Sequence, residues 1–283
     1  MSISEKIAVI GAGNIGGALL EGILKAEVAT REQVVATVGT RDRAAELAQK
    51  YGVRISAGEN LQAAEWADIV ILAVKPSLMP QILEEIRWGL REGRILVSLA
   101  AAFPMGLIER LVSRALPVFR AMPNIPVTVG EGATAIAFNA HVNRAQVDTI
   151  ERIFRAVGIV CFVAEELMHA VTAVSGSGPA YVYMVIEAMV AGGLKMGLSH
   201  EHATRLAEQT VLGAAKLVRE SGTHPAILRD HVITPGGVTI SAVHELERHG
   251  LRSMLISAIE TATRHSRHLT GELVSRVEQM AEQ

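Results

Sequence analysis

Three glycines near the start of the chain have the spacing of a phosphate-binding turn. Gly11, Gly13 and Gly16 form the pattern Gly-x-Gly-x-x-Gly between the apolar run of residues 6–10 and a helix-compatible stretch. In such a turn the first glycine permits a tight bend, the second lets a pyrophosphate approach the backbone, and the third lets the helix pack closely on the strand. The helix N-terminus adds free N–H groups and a positive dipole end. The turn therefore predicts a dinucleotide-binding site, with an ordinary glycine-rich turn as the alternative.

The end of the second predicted strand, residues 33–38, indicates which dinucleotide binds. An acidic residue there hydrogen-bonds the ribose 2′-hydroxyl of NAD, whereas a basic or hydroxyl residue suits the 2′-phosphate of NADP. Thr40 and Arg41 come first and favour NADP, and Asp42 follows directly, so NAD stays open. The other interpretation of Asp42 is an acid in the first turn of the next helix, where it complements the helix dipole.

Three further segments follow predicted strands and so share the edge of a parallel sheet where ligands bind. They are the Ala-Val-Lys-Pro segment of residues 73–76, residues 99–101, and the Met-Pro-Asn segment of residues 122–124. We expect Lys75 to lie near the cofactor; the alternative is a solvated lysine before a helix. Asn124 supplies a polar amide at a site otherwise made of apolar and backbone groups.

Two loops rich in small residues stand out in the second half of the chain. One reads Ser-Gly-Ser-Gly-Pro-Ala-Tyr over residues 175–181, and the other reads Thr-Pro-Gly-Gly-Val-Thr-Ile over residues 234–240. Both enter a predicted helix and so expose backbone N–H groups suited to an anion. Each loop taken alone is also consistent with a simple helix cap.

The elements that must position these segments follow two patterns. Up to residue 164, strands and helices alternate, which predicts right-handed crossovers and a mostly parallel sheet with residues 133–138 and 159–163 as edge strands. From residue 165 only helical patterns remain. The fold class is therefore α/β: an N-terminal Rossmann-type domain over residues 1–164, and an all-α C-terminal domain for substrate binding and dimerisation over residues 165–283.

The first long helix predicted in the second half, residues 179–196, is apolar nearly all round. Such a helix is typical of a bundle core or an interface between subunits. A small helical domain gains a core by pairing with its twin. We therefore expect this domain to join two copies of the chain.

Composition limits the class of protein. The 283 residues are 49% hydrophobic and 20% charged with a net charge of -2, which predicts a soluble globular protein without a basic surface for nucleic acid. No apolar run approaches the ~20 residues of a membrane span, and the early first strand leaves no room for a signal peptide. We therefore expect a cytoplasmic protein that does not bind a membrane.

The single cysteine, Cys161, excludes an internal disulfide and a cysteine-rich metal site. It lies in the run Ile-Val-Cys-Phe-Val, which predicts a buried strand. We therefore interpret it as a core thiol, with a reactive nucleophile as the alternative. The ten histidines show no metal-ligand spacing, so no metal site is predicted.

Five motifs, taken in this order and spacing, resemble those of the pyrroline-5-carboxylate reductase family. They are Gly-Ala-Gly-Asn-Ile-Gly, Ala-Val-Lys-Pro, Met-Pro-Asn, Ser-Gly-Ser-Gly-Pro-Ala-Tyr and Thr-Pro-Gly-Gly-Val-Thr. The last two are the specific ones, since many dehydrogenases share the first. The resemblance implies NADPH-dependent reduction of the cyclic imine 1-pyrroline-5-carboxylate to L-proline, with NAD as an alternative cofactor. It also implies a homodimer, with a decamer as one higher assembly.

The resemblance and the strand ends together assign residues to the two sites. The predicted cofactor residues are Gly11, Ala12, Gly13, Asn14, Ile15, Gly16, Thr40, Arg41, Asn60, Ala73, Val74, Lys75, Pro76, Leu99, Ala100 and Ala101. The predicted substrate residues are Ser175, Gly236, Gly237, Val238 and Thr239. Two residues depart from the family pattern: Ala102 replaces a common glycine and would crowd the nicotinamide side, and Val238 replaces a common threonine or alanine.

Thr239 is the predicted catalytic side chain, at an active site expected between the two halves of the chain. The substrate carboxylate needs hydrogen-bond donors, and Pro235 has no N–H, so the donors come from Gly237, Val238 and Thr239 or just after. The Thr239 hydroxyl is then left beside the ring nitrogen, where it can accept from an iminium N–H or donate to a neutral imine. The alternative is that Thr239 only caps the helix that follows.

Two other functions remain open from the sequence. A β-hydroxyacid dehydrogenase would need a helix lysine as general acid, and Lys195 instead has the position of a cation at a helix end. A non-catalytic dinucleotide sensor would need the cofactor turn but not the second glycine loop. His224 and His244 lie near that loop in sequence without a predicted catalytic role.

Overall fold

The strands of the protein form one sheet of eight strands. The computed structural model describes residues 2–281, and its strands are β1 (Ile7–Ile10), β2 (Val34–Val38), β3 (Arg54–Ala57), β4 (Ile69–Leu72), β5 (Ile95–Ser98), β6 (Val118–Met122), β7 (Gly132–Phe138) and β8 (Gly158–Phe162). They lie in the order β3-β2-β1-β4-β5-β6-β7-β8. Strands β1 to β6 are parallel, β7 runs antiparallel to β6, and β8 is parallel to β7. The prediction of a Rossmann-type, mostly parallel sheet is confirmed.

Twelve helices of the described residues accompany the sheet. Six lie between strands: α1 (Asn14–Lys25), α2 (Arg41–Tyr51), α3 (Asn60–Trp66), α4 (Met79–Ile86), α5 (Met105–Val112) and α6 (Arg144–Arg155). Six follow the last strand: α7 (Met168–Val171), α8 (Gly178–Lys195), α9 (His200–Ser221), α10 (Pro225–His231), α11 (Val238–Arg248) and α12 (Leu251–Ala281). A π-helical turn, Thr172–Gly176, lies between α7 and α8. The predicted change from alternation to helices alone is confirmed.

The middle strands β1 and β4 are buried at every position. Ile7 and Val9 belong to one core group and Ala8 and Ile10 to another, because alternate residues of a strand point to opposite faces. Helices cover both faces here, which explains why the strands are apolar without alternation.

One of the two predicted edge strands is confirmed: β8, predicted as residues 159–163, lies at the edge of the sheet. Strand β7 is not an edge strand, because it pairs with β6 on one side and β8 on the other. The edge position of β8 also overturns the prediction of a buried thiol: Cys161 is exposed, as are Ile159 and Phe162 on the same strand. A strand paired on one side only leaves part of its surface uncovered.

The described residues form two compact units. One runs to Ser177 and also contains α12 from Thr261 onward; the other is Gly178–Glu260. Residues 165–177, which the sequence analysis assigns to the second domain, belong to the first unit by their packing, with Met168 and Ala173 fully buried. The division by function at residues 164 and 165 stays a prediction.

The helical unit exposes much of its apolar surface in the single chain. Helix α8 has no fully buried residue, and Tyr183 and Met184 are more than half exposed. Ser199 caps α9, with its side chain accepting a hydrogen bond from the His202 N–H. Across residues 2–281, no helix combines the length and apolar character needed to cross a membrane.

Candidate active site

The glycine turn after β1 has the close contacts expected of a pyrophosphate-binding turn. Gly11 has φ +94°, a conformation that side chains rarely adopt, and its N–H lies 3.0 Å from the Thr37 carbonyl oxygen on β2. A Cβ on Gly16 would lie 2.5 Å from the Gly11 carbonyl oxygen and 2.9 Å from the Ala73 Cβ. A Cβ on Gly13 would meet nothing within 4 Å. The first and third glycines are therefore required by packing, whereas Gly13 leaves open space at the turn.

Helix α1 directs backbone donors into that space. Gly13 is its N-cap, and the first intrahelical hydrogen bond runs from Gly17 N to Gly13 O at 2.7 Å. The N–H groups of Asn14, Ile15 and Gly16 precede that bond, and the first turn carries no acidic side chain. Open space, free donors and a positive dipole end fit a dinucleotide pyrophosphate.

The turns after β4 and β5 lie beside the glycine turn at the same edge of the sheet. Ala73 N donates to Ile10 O at 2.8 Å, and Leu99 N donates to Leu72 O at 2.9 Å. A Cβ on Gly11 would lie 2.7 Å from Val74 Cγ1. The structure thus brings together three of the predicted cofactor segments, while the Lys75 side chain is exposed just beyond them.

The end of β2 presents its polar residues at the start of α2. Thr40 is the N-cap, and its hydroxyl oxygen accepts from Arg43 N at 3.4 Å. Arg41 and Asp42 lie exposed in the first turn, so Asp42 also has the position of a dipole-complementing acid. The Arg43 guanidinium is held by Glu46, with 2.6 Å between Nη1 and the carboxylate oxygens. Arg41 therefore takes no part in the Arg43–Glu46 ion pair of this turn.

Asn60 lies behind the glycine turn, where its amide is engaged on both sides. Its Oδ1 accepts from Thr37 Oγ1 at 2.7 Å, and its Nδ2 donates to Glu85 Oε2 at 2.9 Å. The Thr37 carbonyl in turn accepts from Gly11 and Ala12. Asn60 therefore supports the turn through Thr37, a role that its spacing in the sequence did not indicate.

The Met-Pro-Asn segment holds the Ser-Gly-Ser-Gly segment in place. Asn124 Nδ2 donates to the Ser175 carbonyl at 3.0 Å, and its Oδ1 accepts from Ala133 N at 2.8 Å. A Cβ on Gly176 would lie 2.8 Å from Met122 Cε. Asn124 therefore acts as a link between backbone segments, and the predicted substrate residue Ser175 lies in a π-helical turn, a local irregularity often found at functional sites.

The second glycine loop, described within the helical unit, begins helix α11. Gly236 has φ +68°, and Gly237 is the N-cap. The Gly237 N–H donates to Thr234 O at 2.9 Å, so the prediction that it is a donor for the substrate is wrong; the N–H groups of Val238, Thr239 and Ile240 precede the first hydrogen bond of the helix. Thr239 is the second residue of the helix and not its cap.

Thr234 is a loop residue whose position the sequence analysis did not single out. Its Oγ1 would lie 2.3 Å from a Cβ on Gly237, so it faces the same turn. The only available signal was a hydroxyl residue directly before Pro235. His224, by contrast, has a structural role, because its Nδ1 accepts from Ala226 N and caps α10.

A buried charge lies on β6, and no local pattern predicted it. Arg120, 4% exposed, contacts Glu165 at 3.1 Å, and Glu165 also accepts from Met105 N at 2.8 Å. Burial lowers the pKa of Arg120, and the hydrogen bond to Glu165 opposes that effect. Burial also lowers the pKa of His169, with the positive charges of Arg120 and Arg267 adding to it. Within residues 2–281 no group of three His, Cys, Asp or Glu side chains could hold a metal ion.

Comparison with known proteins agrees with this geometry. A family model described as pyrroline-5-carboxylate reductase dimerisation matches residues 165–269, and one described as NADP oxidoreductase, coenzyme F420-dependent, matches residues 6–102. The pyrroline-5-carboxylate reductase of Methanosarcina acetivorans is 39% identical, over 94% of this chain and 98% of its own length. That of Escherichia coli is 38% identical, over 95% and 99%.

Two solved structures have the same fold along nearly the whole chain. A pyrroline-5-carboxylate reductase from Coxiella burnetii superposes with a TM-score of 0.90 and 35% identity, covering 94% of this chain and 99% of its own. A pyrroline carboxylate reductase from Plasmodium falciparum, with NADP bound, gives a TM-score of 0.85 and 29% identity, covering 95% and 100%.

A Rossmann-type sheet with an open, donor-lined glycine turn, followed by a helical unit, defines a dinucleotide-dependent oxidoreductase. The two sequence relatives are each more than one third identical to this chain, and the match covers nearly their full lengths. The chain belongs to the pyrroline-5-carboxylate reductase family, and the resemblance seen in its five motifs is confirmed.

Proposed function

We propose that this protein reduces 1-pyrroline-5-carboxylate to L-proline, the last step of proline biosynthesis, with NADPH as the hydride source. The observation that carries the proposal is the match to pyrroline-5-carboxylate reductases over 94% of the chain, with both glycine loops present. The cofactor supplies the hydride when bound; the chain supplies the binding groups and the orientation.

The cofactor site consists of the glycine turn with its two neighbouring turns. Residues 11–16 hold the pyrophosphate through backbone N–H groups, and residues 73–76 and 99–101 line the nicotinamide side. Asn60 supports the turn through Thr37. Thr40 and Arg41 bind the 2′-phosphate, so NADPH is preferred and NADH is the weaker alternative.

The proposed substrate site is the loop that begins α11, and Ser175, in the other unit, stays a predicted substrate residue. The substrate carboxylate accepts hydrogen bonds from the N–H groups of Val238 and Thr239, at the positive end of an 11-residue helix. Gly236 and Gly237 allow the ring to approach the backbone. The Thr239 hydroxyl contacts the ring nitrogen and can serve it as donor or acceptor. Hydride addition to a protonated imine removes positive charge, so no strong acid is needed nearby.

The chain associates with itself through the segment that matches the dimerisation model, residues 165–269. Helix α8 supports a homodimer, because side chains such as Met184, 67% exposed in the single chain, would become covered. Further assembly, such as a decamer, and a cytoplasmic location are part of the same proposal.

The deciding experiment follows the loss of NADPH absorbance on adding 1-pyrroline-5-carboxylate, with proline measured as product. Equimolar proline and NADP are expected. Binding of NADPH without oxidation would instead favour a dinucleotide sensor. Oxidation only with 2- or 3-oxo acids would favour a hydroxyacid dehydrogenase.

A further inference from the structure

Ala102 has a strained backbone directly after the predicted cofactor turn of residues 99–101. Its φ is +58°, one of three positive values at non-glycine residues among those described, and the residue is 8% exposed. An L-residue in this left-handed region is strained, because its Cβ lies too close to the following carbonyl oxygen. Such strain persists only where the surroundings hold it, and it is concentrated at functional sites.

The group that holds Ala102 comes from α12. Thr270 Oγ1 lies 3.1 Å from the Ala102 carbonyl oxygen, across 168 residues of sequence. The same oxygen lies 3.1 Å from Ser266 O, one helical turn earlier, so its single proton is shared between the two carbonyls. The hydroxyl therefore links the backbone of α12 to the strained peptide of Ala102.

The part of α12 that carries Thr270 is anchored on both sides of it. Ser266 Oγ lies 3.0 Å from His169 Nδ1, Val277 is buried in the core beside α5, and Arg110 contacts Glu278 at 3.0 Å. Ser266, Val277 and Glu278 share one face of α12 with Thr270, because they lie four, seven and eight positions from it. Thr270 is thus held rigidly enough to position another group.

We infer that Thr270 is a positioning residue for the cofactor: its hydrogen bond keeps Ala102 in the left-handed conformation and thereby aims the turn of residues 99–101 at the nicotinamide. This inference rests on the proposed cofactor site. Thr270 lies in none of the five motifs and outside the segments that the two family models match.

Four variants test it. Thr270→Val removes the hydroxyl at constant shape, Thr270→Ser keeps it, and Ala102→Gly removes the strain. Thr261→Val is the matched control, because it makes the same substitution in the same helix at an exposed threonine, whose hydroxyl accepts a hydrogen bond from the exposed Arg264. NADPH binding is titrated by fluorescence, and kcat and KM are measured separately.

Thr270→Val is expected to weaken NADPH binding roughly tenfold, the value of one hydrogen bond, with a smaller change in kcat. Thr270→Ser should retain most of the affinity and Thr261→Val all of it. In the Ala102→Gly background, Thr270→Val should have a much smaller effect, because glycine adopts this conformation without restraint.

Unchanged NADPH affinity in Thr270→Val, even with a lower melting temperature, would overturn the inference. So would an equal loss of affinity with and without the Ala102→Gly change. The binding titration does not require turnover, so the absence of proline formation would contradict the proposed function without deciding the role of Thr270. An Ala101→Phe variant with normal NADPH binding would show that the turn of residues 99–101 does not face the cofactor. That result would overturn both the proposed nicotinamide side of the cofactor site and the role of Thr270.

Discussion

The guanidinium of Arg120 lies 3.1 Å from the carboxylate of Glu165, and the arginine side chain is almost wholly buried within the sheet. Removing one partner of a buried ion pair leaves the other charge uncompensated, which costs about 3–5 kcal/mol. We expect Arg120→Met to lower the free energy of unfolding by about 3 kcal/mol, the lower end, because Glu165 keeps some solvent contact and its bond from Met105. Urea denaturation measures the change.

The matched control for that pair is Glu165→Gln, which retains an acceptor for the Met105 N–H. The double variant should lose less stability than the two single variants combined, since each removes the same interaction. Additive losses would show that Arg120 and Glu165 contribute independently.

His169 predicts a pH dependence of stability. Its pKa is lowered in the folded protein, chiefly by burial and further by Arg120 and Arg267, with Glu165 acting in the opposite direction. Below the ordinary histidine pKa of about 6.5, His169 is therefore protonated more readily in the unfolded chain than in the folded protein. The contribution of His169 is fully present above that value and is lost as the pH falls through the folded pKa.

Thermal melts between about pH 7.5 and about pH 5.5 test this sign. The wild type should lose more stability on acidification than His169→Gln, whose amide can still bond Ser266. Parallel losses in the two proteins would assign the acid sensitivity to other groups.

The glycine turn predicts opposite outcomes for two similar substitutions. Gly16→Ala places a Cβ 2.5 Å from the Gly11 carbonyl, so it should destabilise the fold by about 1–3 kcal/mol. Gly13→Ala meets open space and should melt normally, yet lose NADPH affinity roughly tenfold, since the methyl group occupies the pyrophosphate path. Melting curves and NADPH titrations on both variants separate packing from binding. Tight NADPH binding by Gly13→Ala would exclude this turn as the pyrophosphate site.

Cofactor preference is expected to depend on Arg41. A charge-assisted hydrogen bond to the 2′-phosphate contributes roughly 1.5–3 kcal/mol, so Arg41→Ala should reduce the kcat/KM preference for NADPH over NADH by about tenfold or more. Arg43→Ala is the control, because the Arg43 guanidinium is engaged by Glu46. An unchanged ratio in Arg41→Ala would contradict the role of this arginine.

Thr239 is expected to affect turnover and not helix stability. Because Gly237 is the N-cap of α11, Thr239→Ala should change the melting temperature little. Loss of the contact with the ring nitrogen should lower kcat/KM by roughly tenfold or more, at about 1.4 kcal/mol per decade. Thr239→Ser should retain most activity. Wild-type kinetics in Thr239→Ala would show that another group serves the ring nitrogen.

The sequence predicted those features of the protein that a few neighbouring residues determine. The glycine turn and the apolar strand β4 are of this kind, because a tight turn and a doubly buried strand each impose a composition. The resemblance to the family also marks position 102. A glycine is common there, and the positive φ of Ala102 in the structure is the conformation that favours glycine.

Contacts between distant positions could not be predicted in this way. Arg120 and Glu165 are 45 residues apart, and Ala102 and Thr270 are 168 apart, so neither partner marks the other in a single sequence. Cys161 was assigned to the core because its strand is apolar, although the same strand was predicted at the edge of the sheet; apolar composition does not show which faces of an edge strand are covered.

The reversal of direction at β7 has a consequence for the path of the chain. After β6 the chain crosses the sheet on β7, returns on α6, crosses again on β8 and returns through α7 and the π-helical turn. The helical segment after each of these strands runs back along the sheet. Ser175 therefore lies beside Asn124, at the end of the sheet where β6 ends. Whether the number of passes along the sheet is even or odd thus determines at which end of the sheet Ser175 lies. Relatives that gained or lost a single strand here, without its returning helix, would deliver this serine to the opposite side.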